Sequence, residues 1–223
     1  MDSSKQIISD LQEKIGSDQP VDFLCAWKGV PVVVRGYLQD VQDDRITFRV
    51  EPMDSVCLMG QEHALLLHDI FISGIQGNIR DFDIKGGLLT LDSFTYVDRG
   101  FGGRSMVRVE PETPIEAALF VGETTIPCDV VDISLNGFGL LTESISGGAP
   151  PKGEAVTLKL RLLGEAVEIS GKIRSARRQD GAIRLAMTFE QDAPGHTTVA
   201  RYISQRRADI RREIREAYQK AVA

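Results

Sequence analysis

The sequence predicts a mostly β protein: two antiparallel β-barrels of about six strands each, a short α-helix at the N-terminus and a longer α-helix at the C-terminus. Three observations carry this. Short runs rich in Val, Ile, Leu and Phe recur from residue 22 to residue 189, separated by turn clusters such as QDD at 42–44, KGG at 85–87 and VDRG at 97–100. Helical periodicity is confined to the two ends of the chain. The two β-rich stretches also repeat one another, so whatever closes one should close the other.

Along the chain, Ile7, Ile8, Leu11 and Ile15 stand at helical spacing, with Ser3 or Ser4 placed to cap the helix and Gly16 to end it. The runs VPVVVRGYLQ, RITFRVEP, ALLLHDIFISGIQGNI and LLTLDSFTYV follow between residues 30 and 97. DRGFGGRSMVR, residues 98–108, breaks the pattern, and its three glycines predict a flexible connection. The β pattern resumes with IEAALFV, TTIPCDVVDIS, GFGLLTE, AVTLKLRLL, EAVEISGKIRSARR and AIRLAMTF. From His196 the period becomes helical, with Val199, Ile203, Ile210, Ile214 and Ala217 on one face and arginines on the others. The expected domains are residues 1–98, a barrel with its leading helix, and residues 99–223, a linker, a barrel and the terminal helix.

The repeat fixes a correspondence between the two barrels. LQDVQDDRITFRVEP from Leu38 lies against VVDISLNGFGLLTES from Val130, which sets Asp40 opposite Asp132, an offset of 92. GQEHALLL from Gly60 lies against GEAVTLKL from Gly153 at 93, and IQGNI against ISGKI at 94, ending on Ile79 and Ile173. Both stretches finish on Phe, Phe94 and Phe189. Small loop insertions produce such a drift.

Composition excludes several classes of function. Hydrophobic residues are 42% and charged residues 26%, as in ordinary globular domains. No apolar run reaches membrane-spanning length, and MDSSKQIISDLQEKIG lacks the basic and apolar regions of a secretory signal. Cys25, Cys57 and Cys128, odd in number and far apart, suit a reducing cytoplasm without a disulfide framework. Of the formal −6, the stretch from His196 onward contributes +4, leaving an acidic body at −10 that is unsuited to direct nucleic-acid binding. An anionic ligand must therefore meet a local basic site.

The candidate site has two halves. Arg104 and Arg108 in RSMVR form an i, i+4 pair, but Arg45/Arg49, Arg174/Arg178, Arg207/Arg211 and Arg211/Arg215 share that spacing, so the pair alone says nothing. The pattern Asp-x-Ser-x-x-Gly, Asp132 to Gly137, is rarer: composition predicts roughly 0.1 chance occurrences. The two in order, with Asp132 24 residues after Arg108, are more specific still. Asp132 and Ser134 are also good hairpin residues, and Asn136-Gly137 reads as a tight turn.

Arg-x-x-x-Arg followed by Asp/Asn-x-Ser-x-x-Gly resembles the signature of PilZ domains. The resemblance spans about residues 99–215, including RVEPETPIEAAL after Arg108 and the closing RYISQRRADIRREI. A preceding barrel on a short linker is similar to the two-domain flagellar-brake class, which implies a PilZ-like first barrel and a PilZ second barrel. The resemblance implies a non-enzymatic receptor for cyclic di-GMP. Arg104 and Arg108 would grip phosphates and guanine edges, Asp132 would accept guanine N–H groups, Ser134 would add a hydroxyl and Gly137 would give close backbone approach or a positive-φ turn, with Arg99 and Asn136 as further contacts. Binding at the linker would reorient the barrels and act on motility through a protein partner such as a flagellar motor component. A monomer or homodimer, cytoplasmic and without membrane insertion, is implied. A ligand-independent PilZ adaptor and a cyclic di-GMP-responsive transcription regulator are the alternatives.

In the first barrel the repeat places Gln42 at the Ser134 position and Arg45 at the Gly137 position, so this barrel is not expected to bind the nucleotide by itself. His63, His68 and Cys57 lack zinc-site spacing, GFGGR lacks the Lys-Ser/Thr of a phosphate loop, and no catalytic motif is present, so neither a metal nor an enzyme is expected.

Overall fold

Alternating apolar and polar residues set both barrels, because successive side chains of a strand point to opposite faces. In the computed structural model, which describes residues 3–15, 17, 19–42, 44–98, 107–143, 148–179 and 181–223, the chain divides into two units. One comprises Met1–Trp27, Pro31–Arg104 and Ile210–Ala223; the other comprises Lys28–Val30 and Ser105–Asp209.

The first barrel follows helix α1 (Ser3–Lys14) and contains β1 (Pro20–Trp27), β2 (Val30–Gln42), β3 (Arg45–Val50), β4 (His63–Leu67), β5 (Gly74–Asp83) and β6 (Leu88–Val97). The ring order is β1-β2-β3-β6-β5-β4, closed by β1 against β4. Val21, Phe23, Val34, Ile46, Phe48, Leu89 and Leu91 fill its interior, and Phe23 meets Phe48 edge-on at 5.1 Å. The apolar face of α1 buries Ile7, Ile8 and Leu11 as its spacing predicts. Ser4, however, lies within the helix rather than capping it, and its hydroxyl accepts the Phe94 N–H at 3.0 Å. Gly16 lies outside the described residues.

Two local features depart from the sequence pattern. The run from Ala64 to Ile79 splits into β4 and β5 at a turn where Phe71 N donates to the His68 carbonyl, which leaves Ile72 exposed. After β3 comes a short helix, α2 (Pro52–Ser55), and a 3₁₀ turn that buries Val56, Cys57 and Leu58. Pro52 suits a helix start because its missing N–H would have no helical partner there.

The second barrel contains β7 (Arg108–Val109), β8 (Ile115–Val121), β9 (Thr124–Ser134), β10 (Gly137–Thr142), β11 (Ala155–Leu162), β12 (Glu165–Gln179) and β13 (Ala182–Thr188), followed by helix α3 (His196–Val222). Strands β8 to β13 coincide with the runs read from the sequence to within a residue or so, whereas β7 begins at Arg108, the last residue of the stretch expected to be a flexible connection. The ring β8-β9-β10-β13-β12-β11 closes through β9 against β10, and β7 adds to the end of β9. Leu119, Val130, Ile133, Leu140, Leu158, Ile169 and Leu185 are fully buried. Phe138 stacks on Phe189 at 5.2 Å, and Val199 and Ile203 bury one face of α3.

The ring order of the second barrel, taken from β8, is that of the first taken from β1. Two of the irregularities coincide as well. Gln39 is passed over in the β2–β3 register and Val131 in the β9–β10 register, immediately before Asp40 and Asp132. Arg80 on β5 and Arg174 on β12 are likewise skipped, at the offset of 94 seen in the sequence. Equivalent bulges bend equivalent strands, so the repeat is one of fold and register as well as of sequence.

Candidate functional site

The Asp-x-Ser-x-x-Gly segment is the hairpin between β9 and β10, with Ser134 paired to Gly137 across the two-residue turn Leu135-Asn136. Gly137 is therefore the first strand residue of β10 rather than part of the turn, and its φ is not positive. Its lack of a side chain serves another purpose. A Cβ there would stand 2.5 Å from the Met187 carbonyl oxygen of β13, so only glycine lets the two strands close at this point. The turn is fixed from outside: Asn136 O accepts from Phe189 N at 3.1 Å, and Leu135 O lies 3.2 Å from His196 Nε2 at the start of α3.

Asp132, Ile133 and Ser134 are all buried, which breaks the alternation of β9. Ile133 points into the core. Asp132 and Ser134 face outward by strand geometry and are nonetheless buried; β7 pairs Arg108 with Ser134 and Val109 with Ile133, which brings Arg108 beside them. The Arg108 guanidinium donates from Nη1 to Asp132 Oδ1 at 3.2 Å. From the other side, Arg184 Nη2 of β13 donates to Asp132 Oδ2. The carboxylate, 9% exposed, is thus held between two arginines, the arrangement a buried anion requires. The Ser134 hydroxyl lies 3.1 Å from Asn136 Oδ1 and 3.2 Å from the Gly137 carbonyl, and its single proton serves one at a time.

Around Asp132 the outward side chains form rows across the strands. One row runs Asp132, Gly139, Ala186, Ser175, a floor of small residues. The next runs Leu141, Arg184, Arg177. A Cβ on Gly139 would stand inside the van der Waals envelope of the Asp132 carboxylate, so the acid lies flat over a bare stretch of β10. Arg177 and Arg184 oppose one another directly, a like-charge cross-strand pair that costs stability unless an anion approaches. The face therefore offers guanidinium forks for phosphate or purine acceptors, one carboxylate for N–H donors, and a flat floor for a planar group. Elsewhere on this barrel, a cleft of about 570 Å³ is lined by Glu116, Asp129 and Glu143, whose charge repels such a ligand.

Of the residues expected from the sequence, Arg108, Asp132, Ser134, Asn136 and Gly137 come together; Arg99 and Arg104 lie outside the described residues. Sequence reading missed Gly139 and Arg184. Both leave a trace: a second glycine two residues after Gly137, on the same strand face, and a lone charge in the apolar run AIRLAMTF. Among the described residues no group of three His, Cys, Asp or Glu is arranged to hold a metal, and His63 Nδ1 lies 2.8 Å from Asn78 Oδ1. The three cysteines are buried free thiols, and burial pushes Cys128 up to about 11.

No curated protein matches the chain. Among solved structures it is similar to K. pneumonia MrkH in complex with c-di-GMP, at 13% identity and a TM-score of 0.46 over 96% of this chain and 98% of that one. It is also similar to Escherichia coli YcgR in complex with c-di-GMP, at 14% identity and a TM-score of 0.43 over 96% and 92% of the two chains. A third is the Bacillus subtilis inhibitor of motility MotI/DgrA, at 12% identity and a TM-score of 0.42 over 87% and 98%. Residues 103–205, which contain Arg108, the hairpin of Asp132 to Gly137, Gly139 and Arg184, match the PilZ domain family.

Proposed function

We propose that this protein is a non-enzymatic receptor for cyclic di-GMP, with Arg104, Arg108, Asp132, Ser134, Gly137 and Arg184 as its contacts and Arg99 and Asn136 as peripheral ones. One observation carries the reading: the Asp132 carboxylate is held between Arg108 and Arg184 beside the Ser134–Gly137 hairpin end, over the floor of Gly139. Two guanines and two phosphates need both signs of partner. The arginines meet phosphate oxygens and guanine N7 and O6 with paired donors, and Asp132 accepts from guanine N1–H and N2–H₂, which no arginine can do. Each charge-assisted bond contributes about 1.5–3 kcal/mol, and a micromolar ligand needs about −8.2 kcal/mol, so four or five contacts suffice.

The nucleotide pins the arginines of residues 99–108, and the two barrels take a new mutual arrangement that a downstream protein reads. Such a switch works only if the ligand favours one arrangement. A flagellar motor component is the proposed partner and motility the proposed output. The protein acts in the cytoplasm as a monomer or homodimer, without direct nucleic-acid contact.

Calorimetric titration with cyclic di-GMP tests the site. Arg104→Ala and Asp132→Ala should each lose at least tenfold in affinity, about 1.4 kcal/mol. Full-strength binding by both variants would sink the assignment, and no binding by wild type would leave a ligand-independent adaptor. Small-angle scattering with and without nucleotide tests reorientation; an unchanged profile counts against it.

A further inference from the structure

Strand β7 is two residues long, with only two register pairs holding it to β9. So short a strand has little stability of its own, yet it carries Arg108. Beyond the Arg108–Asp132 bond and a bond from Glu110 N to the Lys28 carbonyl at 3.0 Å, two further contacts hold it within the second unit. Val109 is fully buried, and the carbonyl of Glu110, two residues beyond Arg108, accepts from Arg206 Nε of α3 at 2.7 Å. Arg206 is 4% exposed. It stands on the same helix face as Val199 and Ile203, the residues that seat this part of α3 on the barrel. Burying a guanidinium is costly unless it is bonded, so its bond to a main-chain carbonyl calls for an explanation beyond helix packing, which an apolar residue would serve at least as well. Tyr202, one turn earlier, has its phenol raised by burial, a rise that Arg206 opposes and that Asp209 and Glu112 add to.

We propose that Arg206 is a positioning residue for the ligand site: through the Glu110 carbonyl it holds the backbone that carries Arg108, and so couples α3 to the nucleotide. The inference rests on the cyclic di-GMP reading, since the coupling is between that ligand and the helix. Coupling is reciprocal, so a nucleotide that immobilises Arg108 must also tighten the seat of α3. Arg206 acts through main chain and touches no part of the ligand.

Hydrogen-exchange mass spectrometry and calorimetric titration on the full chain test this with wild type, Arg206→Met and Arg206→Lys. In wild type, cyclic di-GMP should slow exchange over 107–111 and also over 199–209. Arg206→Met should speed exchange over 107–111 even without ligand, weaken binding by about five- to tenfold, and abolish the ligand-dependent slowing of α3. Arg206→Lys, which restores a donor and the charge, should recover part of each. Wild type that binds without any change in α3 overturns the coupling whatever the variants do, so the test survives if Arg206→Met fails to fold. So does an Arg206→Met protein of lowered melting temperature but unchanged affinity and unchanged protection, the result of a purely structural role. Absence of binding by wild type defeats the nucleotide reading instead, and ligand-free exchange over 107–111 then still decides whether Arg206 positions that segment.

Discussion

The two barrels are the same object built twice and loaded with opposite chemistry. Ring order and two bulges agree, so the outward positions around Asp132 have counterparts around Asp40. Where the second barrel has Asp132, Gly139, Ala186 and Ser175 in a row, the first has Asp40, Thr47, Thr90 and Asp81. Arg184 and Arg177 correspond to Leu88 and Asp83; Ser134, Gly137 and Thr188 correspond to Gln42, Arg45 and Asp92. The first barrel keeps the carboxylate but pairs it with Gln42 at 3.1 Å instead of with arginines, and its floor is filled by Thr47 and Thr90 bonded at 3.0 Å. A buried acid on a basic, bare face and an exposed acid on an acidic, filled one differ by a handful of substitutions on one scaffold. Fold explains where a site can be; the outward rows decide whether it is there.

The largest expected effect comes from erasing the floor. Gly139→Val keeps β-propensity but puts a Cβ where the Asp132 carboxylate lies. Displacing the acid removes the proposed acceptor for the guanine N–H groups and releases the arginines it orients, and with each charge-assisted contact to the ligand about 1.5–3 kcal/mol, affinity for cyclic di-GMP should fall by at least about a hundredfold. Circular dichroism and a melting curve would show the barrel intact. Next is Arg184→Leu, which copies Leu88 of the first barrel. It removes one arginine and leaves Arg108 on Asp132, so titration should show roughly a tenfold loss. If Arg184→Leu binds like wild type, Arg184 is not among the residues that separate the two barrels.

Most of this comparison was legible in the sequence because strands alternate. The offset of 92 between Asp40 and Asp132 proved to be a true register offset, with Arg45 at the Gly137 position and Gln42 at that of Ser134. What the sequence hid depends on partners distant along the chain. Arg184 becomes part of the site only because β13 lies beside β10, which brings it to a carboxylate 52 residues earlier. Gly139 matters because a carboxylate lies over it, and no local pattern announces that. Gly137 was singled out, but the turn reading misplaced its role: Leu135 and Asn136 turn the chain, while Gly137 admits the backbone of β13. Arg206 carried no motif, since one arginine among six in a basic helix becomes distinctive only through its burial.

The smallest effect should come from editing the first barrel toward the second. Arg45→Gly removes the bulk that stands at the Gly137 position. Arg45 is half-exposed and pairs at 3.2 Å with the still more exposed Asp44, so the ion pair contributes little. The loss of a strand side chain there should cost no more than about 1 kcal/mol, a melting shift of a few degrees at most. Titration should detect no second nucleotide site in this variant. Removing one obstruction does not change the rows around it: Asp81, Asp83 and Asp92 still occupy the positions of Ser175, Arg177 and Thr188, and they repel a ligand with two phosphodiester groups. A second site appearing on Arg45→Gly alone would mean that steric access, and not the charge of the outward rows, separates the two barrels.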